Sequence, residues 1–208
     1  VGIVTRALLD AGHRAVGLCN VAIGFQRTAA RLLDVEPARL VVDQVGLNHL
    51  TWVRAVLLDD EDVLPGLIAD HGDELAGSAH VPRAALEELG AVPSYYLRYF
   101  YRHDDMLAEQ LAGRPRAAEV AEIEHELLEL YRDPTLTTKP ALLEKRGGAF
   151  YSEAATQLVA SLASDAGDVQ VVDVRNDGTL TGLAPDDGVE LPARITARGP
   201  EPIEQPPL

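Results

Sequence analysis

Val16-Gly17-Leu18-Cys19-Asn20 is the stretch that decides the fold, and Gly46-Leu47-Asn48-His49 is its counterpart further along the chain. In each stretch a short apolar run, typical of a buried strand, gives way to polar side chains. In α/β sheets, ligands bind beyond the carboxyl ends of the strands. We therefore expect Cys19 and Asn20 to stand at a binding site.

Cys19 and His49 carry the side chains best suited to a transition metal. Thiolate and imidazole are ligands that borderline and softer metals take readily, and Cys19 is the one cysteine of the chain. A closed structural zinc site needs about four ligands, so an ion held by these two residues would keep positions for water or substrate. An open catalytic metal is the hypothesis. The residues alone leave open that Cys19 is simply a small buried side chain and His49 a polar residue at a strand end.

The rest of the chain predicts an α+β fold, with short strands and a mostly helical middle followed by an antiparallel β segment. Helical periodicity predicts helices over residues 3–11, 21–33, 63–70, 82–89, 116–131 and 151–163. Runs of β-type residues predict strands over residues 15–19, 40–47, 52–58, 169–174, 179–183 and 189–195. Asn20 is placed to cap the helix 21–33. Glycines predict a loop over 71–80, and Asn176-Asp177-Gly178 predicts a hairpin turn.

The ends of the chain predict its domain organisation. Residues 1–195 are expected to form one folded region, and residues 196–208 an extended proline-rich tail. The sequence starts inside a predicted amphipathic helix and without an initiator methionine. We expect the chain to be a fragment of a longer protein.

Composition restricts the partners and the compartment. The 208 residues are 47% hydrophobic, which suffices for one large or two small domains with a real core. The formal net charge of −15 argues against nucleic acid or an anionic membrane as the main partner. One cysteine makes no internal disulfide, and no apolar run of about 18 residues appears. The cytoplasm is the expected location.

Tyr96 and Arg116 are candidate functional residues only when they are considered together with other motifs of the chain. Tyr96 lies in an aromatic cluster, where packing is the simplest interpretation. Arg116 begins a strongly amphipathic segment and would ordinarily be surface charge, although an arginine fork also suits a phosphate. Neither residue by itself predicts an activity.

Five motifs, taken in order, give the chain a likeness to a known family. Together they resemble glycoside hydrolase family 4, and in particular the middle and C-terminal part of its 6-phospho-β-glucosidase branch. The likeness runs from residue 1 to about residue 195. The motifs are Gly17-Leu18-Cys19-Asn20, Gly46-Leu47-Asn48-His49-Leu50, Tyr96-Leu97-Arg98-Tyr99, Lys145-Arg146-Gly147-Gly148 with Tyr151-Ser152, and Arg175-Asn176-Asp177-Gly178.

The resemblance implies a role for each candidate residue. Cys19 and His49 match the metal ligands of the family, usually for manganese. Tyr96 matches the tyrosine proposed as the base that removes the C2 proton of the sugar. Asn20 matches the substrate-contacting asparagine of the β branch, where α-specific relatives carry an acidic residue. Arg116 is a weaker match to a substrate or phosphate-side arginine.

The resemblance also implies an architecture and a mechanism. The chain is expected to be the C-terminal domain of an NAD-dependent glycosidase with a lactate/malate dehydrogenase-like architecture. The substrate would be a phosphorylated disaccharide or aryl glycoside, cleaved by redox-assisted elimination and addition with NAD and a divalent metal rather than by two carboxylates. A homo-oligomer, a dimer or tetramer, is expected.

Two departures from the family pattern limit what this chain would do alone. Ala22 stands where the family commonly has proline, which should not remove a ligand. More important, residues 1–208 contain no strand followed by the glycine-rich turn of a dinucleotide-binding domain. In the family that domain precedes this segment. We therefore expect the chain alone neither to bind NAD+ well nor to turn over substrate.

Three alternatives stay open from the sequence. One is another member of the family, a 6-phospho-α-glucosidase or an enzyme of the α-galactosidase or galacturonidase type, although Asn20 favours the β branch. A second is a non-catalytic oligomerisation module. A third, a zinc hydrolase, lacks a third convincing ligand and a nearby His-Glu motif.

Overall fold

The structure, a computed structural model, describes residues 1–206 and divides into two compact units. The first unit contains Val1–Leu97 and the chain from Phe150 onward, and the second contains Arg98–Ala149. The first unit combines helices with a sheet, and the second is helical. The predicted α+β class, with a helical middle and a final antiparallel β segment, is confirmed.

One antiparallel sheet organises the first unit. Among the described residues its strands are β1 (Leu40–Leu47), β2 (Leu50–Leu58), β3 (Glu61–Asp62), β4 (Val92–Pro93), β5 (Val169–Arg175), β6 (Gly188–Thr196) and β7 (Gly199–Pro202). The strand order is β3-β2-β1-β6-β5, with β4 beside β2 and β7 beside β6. The two halves join where Gly46 of β1 pairs with Glu190 of β6.

Helices cover this sheet and also build the second unit. The first unit has α1 (Gly2–Asp10), α2 (Asn20–Leu33), α3 (Leu64–Ala79), α4 (Arg83–Leu89) and α9 (Tyr151–Ser164). The second has α5 (Arg98–Tyr101), α6 (His103–Ala112), α7 (Arg116–Leu130) and α8 (Leu143–Arg146). Single 3-10 turns span Pro37–Arg39 and Tyr95–Leu97. The part of the chain that the structure describes has no helix long and apolar enough to cross a membrane.

Two apolar clusters hold the first unit together. One packs α2, α3 and α4 against β1 and β2, and Val56, Leu64 and Leu86 are completely buried in it. The other packs α9 against β5 and β6, and Val172 and Leu191 are completely buried there. Burying each such side chain contributes roughly 1.5–3 kcal/mol before entropy is counted. The end of β1 contributes to the second cluster through Val45 and Leu47.

The predicted loop over 71–80 is wrong, because α3 continues past a kink at His71 to Ala79. His71 alone departs from helical geometry, with φ −124° and ψ 18°, which marks a kink. Gly72 leaves space for Arg83, whose Nη2 donates to the carbonyl of Ala69 at 2.8 Å. Burial of the apolar side chains that follow, such as Leu75, outweighs the low helix propensity of the glycines.

The predicted strand over 179–183 is also wrong. The strand that returns beside β5 is β6, and a loop connects them. Asn176, completely buried, organises this loop: its side chain donates to the carbonyls of Leu180, Leu183 and Ala184 and accepts from the N–H of Leu180. Because the side chain satisfies these backbone groups, they need no strand partner.

Two smaller predictions near the start are corrected. Residues 15–19 form no regular strand but a single bridge, in which Gly17 and Asp173 exchange both backbone hydrogen bonds at 2.9 Å. Asn20 does not cap α2 from outside. It is the first residue of the helix, and Cys19 holds the cap position in an extended conformation, without a side-chain cap bond.

The predicted tail over 196–208 is only partly a tail. Thr196 still belongs to β6, and Gly199–Pro202 pairs with it as β7. Proline lacks a backbone N–H and is therefore tolerated on an edge strand, which is where Pro200 and Pro202 lie. Residues 207–208 lie outside the described part of the chain.

Candidate metal and substrate site

Cys19 is a buried thiol at the start of α2, only 4% exposed. Burial and the nearby Glu190 carboxylate raise the pKa of its thiol. The backbone of Val21 and the side chain of Asn48 act in the opposite direction and favour the thiolate. These groups already favour the thiolate form of Cys19. A cation bound beside the sulfur would stabilise the thiolate further.

His49 lies in the tight turn between β1 and β2. Leu47 pairs with Leu50, so Asn48 and His49 alone make the connection. His49 has a left-handed backbone, with φ 67°, and Gly46 has φ 142°. A Cβ on Gly46 would lie 2.2 Å from the carbonyl oxygen of Leu50, so only glycine fits there. The prediction that His49 stands at the end of a strand is confirmed.

The ring of Tyr96 stacks on the ring of His49. The ring centroids are 3.8 Å apart and the planes differ by 9°. The ring of Tyr95 also packs against Tyr96, with the ring centroids 4.1 Å apart. Burial lowers the pKa of His49. The imidazole is thus held in the neutral form that binds metals.

Tyr151 links this ring pair to Cys19. Its hydroxyl interacts with the Cys19 thiol and accepts a hydrogen bond from the backbone of Asn20, and it is close enough to Tyr96 to sense its charge. Burial, then the charge on Cys19, raise the pKa of Tyr151. Thiol, imidazole and two phenols therefore share one region of the first unit. The sequence offered Tyr151 as part of a motif but assigned it no role.

Two buried carboxylates also face this region, and the sequence reasoning missed both. Glu190 is 1% exposed, and its Oε2 accepts from Asn48 Nδ2 at 2.7 Å. Asp173, opposite Glu190 in the sheet, is completely buried, and neither of its carboxylate oxygens has a hydrogen-bond partner among residues 1–206. Burial and then Glu190 raise the pKa of Asp173 to about 7. The available signal was a single acidic residue inside each apolar strand, Val172-Asp173-Val174 and Val189-Glu190-Leu191.

The donors present fit a divalent cation of borderline softness. Cys19 and His49 supply a thiol and an imidazole, and the carboxylates of Glu190 and Asp173 add negative charge next to the thiol. Within the described residues, no group of three or more His, Cys, Asp or Glu side chains is arranged to hold a metal ion. An ion held by Cys19 and His49 together stays a prediction.

The two predicted substrate residues lie in different units. Asn20 begins α2 beside Cys19 and Tyr151, in the first unit. Arg116 begins α7 in the second unit, where its guanidinium donates to Glu119 at 2.9 Å and to the carbonyl of Lys145 at 2.6 Å. The role predicted for Arg116 has no further support from these contacts.

Comparison with known proteins identifies the class. The family model described as "Family 4 glycosyl hydrolase C-terminal domain" matches residues 44–208. The chain therefore belongs to family 4 of the glycosyl hydrolases, which confirms the resemblance drawn from its motifs.

The relatives narrow the class further. The chain is 38% identical, over 97% of its length and 49% of the relative's, to a probable 6-phospho-β-glucosidase of Bacillus subtilis. It is 30% identical, over 97% and 48%, to a 6-phospho-β-glucosidase of Escherichia coli. The structure of the 6-phospho-β-glucosidase of Thermotoga maritima with manganese, NAD+ and glucose-6-phosphate matches with a TM-score of 0.87 at 30% identity, over 98% of this chain and 49% of that one. The chain spans about half the length of the curated relatives it matches.

Proposed function

We propose that the polypeptide carrying this chain hydrolyses 6-phospho-β-glucosides with the help of NAD and a divalent metal, manganese in the first instance. Family membership and the similarity to 6-phospho-β-glucosidases support the substrate class. The observation that carries the proposal is the stack of Tyr96 on His49, with Tyr151 and Cys19 in the same region. It supports the proposal because it brings the proposed base, Tyr96, next to a proposed metal ligand, His49.

Each predicted residue has a part in this proposal. Cys19 and His49 would hold the metal, and the sugar would complete its coordination. Asn20, beside Cys19, would contact the substrate. Arg116 is retained as a candidate for the phosphate side. When bound, the nicotinamide supplies reversible oxidation of the sugar and the metal supplies Lewis acidity at the sugar oxygens.

Tyr96 is the proposed base, and it would take the proton from C2 of the sugar. A free tyrosine has a pKa near 10 and is a poor base at neutral pH. An opposite charge nearby favours the ionised form of a phenol. Stacking on His49 holds the Tyr96 ring beside a proposed metal ligand, where it would gain that benefit.

The nicotinamide would be bound mainly by a separate domain. Residues 1–208 lack a glycine-rich dinucleotide-binding turn, so the chain alone should neither bind NAD+ well nor turn over. We also propose the cytoplasm as the location and a homodimer or tetramer as the assembly.

The test uses the polypeptide that joins this chain to a dinucleotide-binding domain of the relatives' kind. With NAD+ and Mn2+, it should cleave an aryl 6-phospho-β-glucoside and leave the α anomer intact. Preference for the α anomer, or full activity without NAD+, would overturn the proposal. Hydrolysis by the isolated 208-residue chain would contradict the need for the second domain.

A solvent-exchange measurement tests Tyr96 directly. Turnover in D2O should place deuterium at C2 of the product, and Tyr96→Phe should abolish both exchange and turnover. Tyr95→Phe, which removes the hydroxyl of the adjacent ring, is the matched control and should retain both. Unchanged exchange in Tyr96→Phe would exclude Tyr96 as the base.

A further inference from the structure

Glu190 is an acidic side chain enclosed in the sheet rather than exposed at its surface. It is 1% exposed, and its backbone pairs with Gly46, two residues before Asn48. Both of its carboxylate oxygens accept hydrogen bonds from side-chain amides, Oε1 from Gln44 and Oε2 from Asn48. A buried carboxylate is expensive to keep, and these two contacts show which groups it holds.

The contact with Asn48 fixes the direction of an amide. An ionised carboxylate only accepts hydrogen bonds, so the NH2 group of Asn48 must face Glu190, at 2.7 Å. The opposite end, Oδ1, accepts from the Val1 nitrogen at 3.0 Å. The Asn48 side chain is also near the Cys19 thiol, where it favours the thiolate. Asn48 therefore connects the buried carboxylate of Glu190 to the turn that carries His49.

We propose that Glu190 is a positioning residue of the metal site, acting through Asn48: it holds the Asn48 amide against Cys19 and keeps the Asn48–His49 turn in place. The inference rests on the proposed function, because it takes Cys19 and His49 as metal ligands. Removing a hydrogen bond that orients the groups around a metal ligand commonly changes metal affinity by about 10–100-fold.

A double-mutant cycle on the full 208-residue chain tests this inference. Co2+ is the probe, followed by the absorption of the thiolate-to-cobalt charge transfer, which reports a metal on Cys19. Glu190→Gln keeps the shape of the side chain, but an amide presents either its oxygen or its NH2 group and no longer fixes Asn48. We expect Glu190→Gln and Asn48→Ala each to weaken Co2+ binding about tenfold or more, and the double variant to bind no more weakly than Asn48→Ala.

Independent effects of Glu190→Gln and Asn48→Ala on Co2+ affinity would overturn the inference. If the losses from Glu190→Gln and Asn48→Ala multiply in the double variant, Glu190 acts by its charge and not through Asn48. Asn48 is a half-buried turn residue, so Asn48→Ala tests the inference even if Glu190→Gln fails to fold. Wild-type affinity in Asn48→Ala would overturn it. Glu201→Gln, exposed on β7, is the matched control and should bind as the wild type does.

The same titration separates this inference from the proposed function. A wild-type chain without a thiolate band, or one whose band survives Cys19→Ser, would remove the metal site and the inference with it. If Cys19→Ser abolishes the band but Glu190→Gln and Asn48→Ala leave it unchanged, the metal site stands and only the inference about Glu190 is overturned.

Discussion

Tyr96 and His49 lie ring on ring, with centroids 3.8 Å apart and planes within 9° of parallel. The contact joins two elements that are distant in sequence, the β1–β2 turn and the 3-10 turn at Tyr95–Leu97. β4 pairs with β2 next to this turn, through Trp52 and Pro93. The sheet therefore sets the position of both rings. A substitution of Tyr96 or His49 should alter the packing of the other ring.

The first prediction separates the metal role of His49 from its backbone role. His49 has a left-handed φ of 67°, which asparagine tolerates better than alanine. We expect His49→Asn to lose Mn2+ affinity at least tenfold and to lose the stack on Tyr96, at a cost of about 1 kcal/mol in the free energy of unfolding. His49→Ala should lose the same affinity and be about 1 kcal/mol less stable still, because its backbone is strained.

The measurements are an Mn2+ titration followed by electron paramagnetic resonance and urea unfolding of the metal-free chain. Cys19→Ser should reduce the affinity without affecting the stack. Equal Mn2+ affinity in the wild type, Cys19→Ser and both His49 variants would discard the metal site.

The second prediction concerns the glycine of the Gly17-Leu18-Cys19-Asn20 motif. A Cβ on Gly17 would lie 2.2 Å from Thr5 Oγ1 and 2.7 Å from Asp173 Cβ. Gly17→Ala must therefore break the bridge to Asp173 or displace α1, and we expect the free energy of unfolding to fall by about 2–4 kcal/mol.

Gly24 is the matched control for that substitution. It lies inside α2, and a Cβ there would meet nothing within 4 Å. Gly24→Ala should raise the free energy of unfolding by about 0.5–1 kcal/mol, since alanine favours the helix. Urea unfolding of both variants checks the pair, and similar changes in the two would contradict the crowding around Gly17.

The third prediction tests the loop that replaces the expected strand at 179–183. Asn176 makes four side-chain hydrogen bonds to the backbone of this loop while completely buried. Asn176→Ala leaves those backbone groups unsatisfied, and we expect a loss of about 2–4 kcal/mol. Asp177→Asn, at the adjacent exposed position, should cost much less, because asparagine tolerates the left-handed backbone found there. A small loss at Asn176, measured by urea unfolding, would show that water or other groups replace its bonds.

Local pattern predicted the elements whose own residues decide them. The strand 40–47 and the helices 116–131 and 151–163 agree with the structure to within one residue at each end, because their residues follow the pattern of a strand or a helix. The helical stretch 71–79 cannot be predicted locally, because α3 is stabilised by contacts with other elements, α4 and β2 among them, and not by the glycine-containing sequence itself.

The site divides in the same way. Cys19 and His49 were found because their chemistry is visible in the side chains themselves. Glu190 and Asp173 were missed because their importance depends on burial and on facing each other across β5 and β6, a pairing between residues that no local window contains.

The last prediction follows from Asp173. Its pKa, raised to about 7 by burial and by Glu190, stands well above the ordinary aspartate value of 3.8. Between these two pH values the folded chain keeps a proton that the unfolded chain has lost. The stability tied to this proton is complete below about pH 4 and is lost as the pH rises through 7, by up to about 4 kcal/mol. Asp173→Asn should abolish this component of the pH dependence. Urea unfolding at a series of pH values checks it, with a constant denaturant slope showing that the unfolding reaction is the same. An equally steep fall between pH 4 and 7 in Asp173→Asn would assign the titration to another group, because an amide has no proton to release in that range.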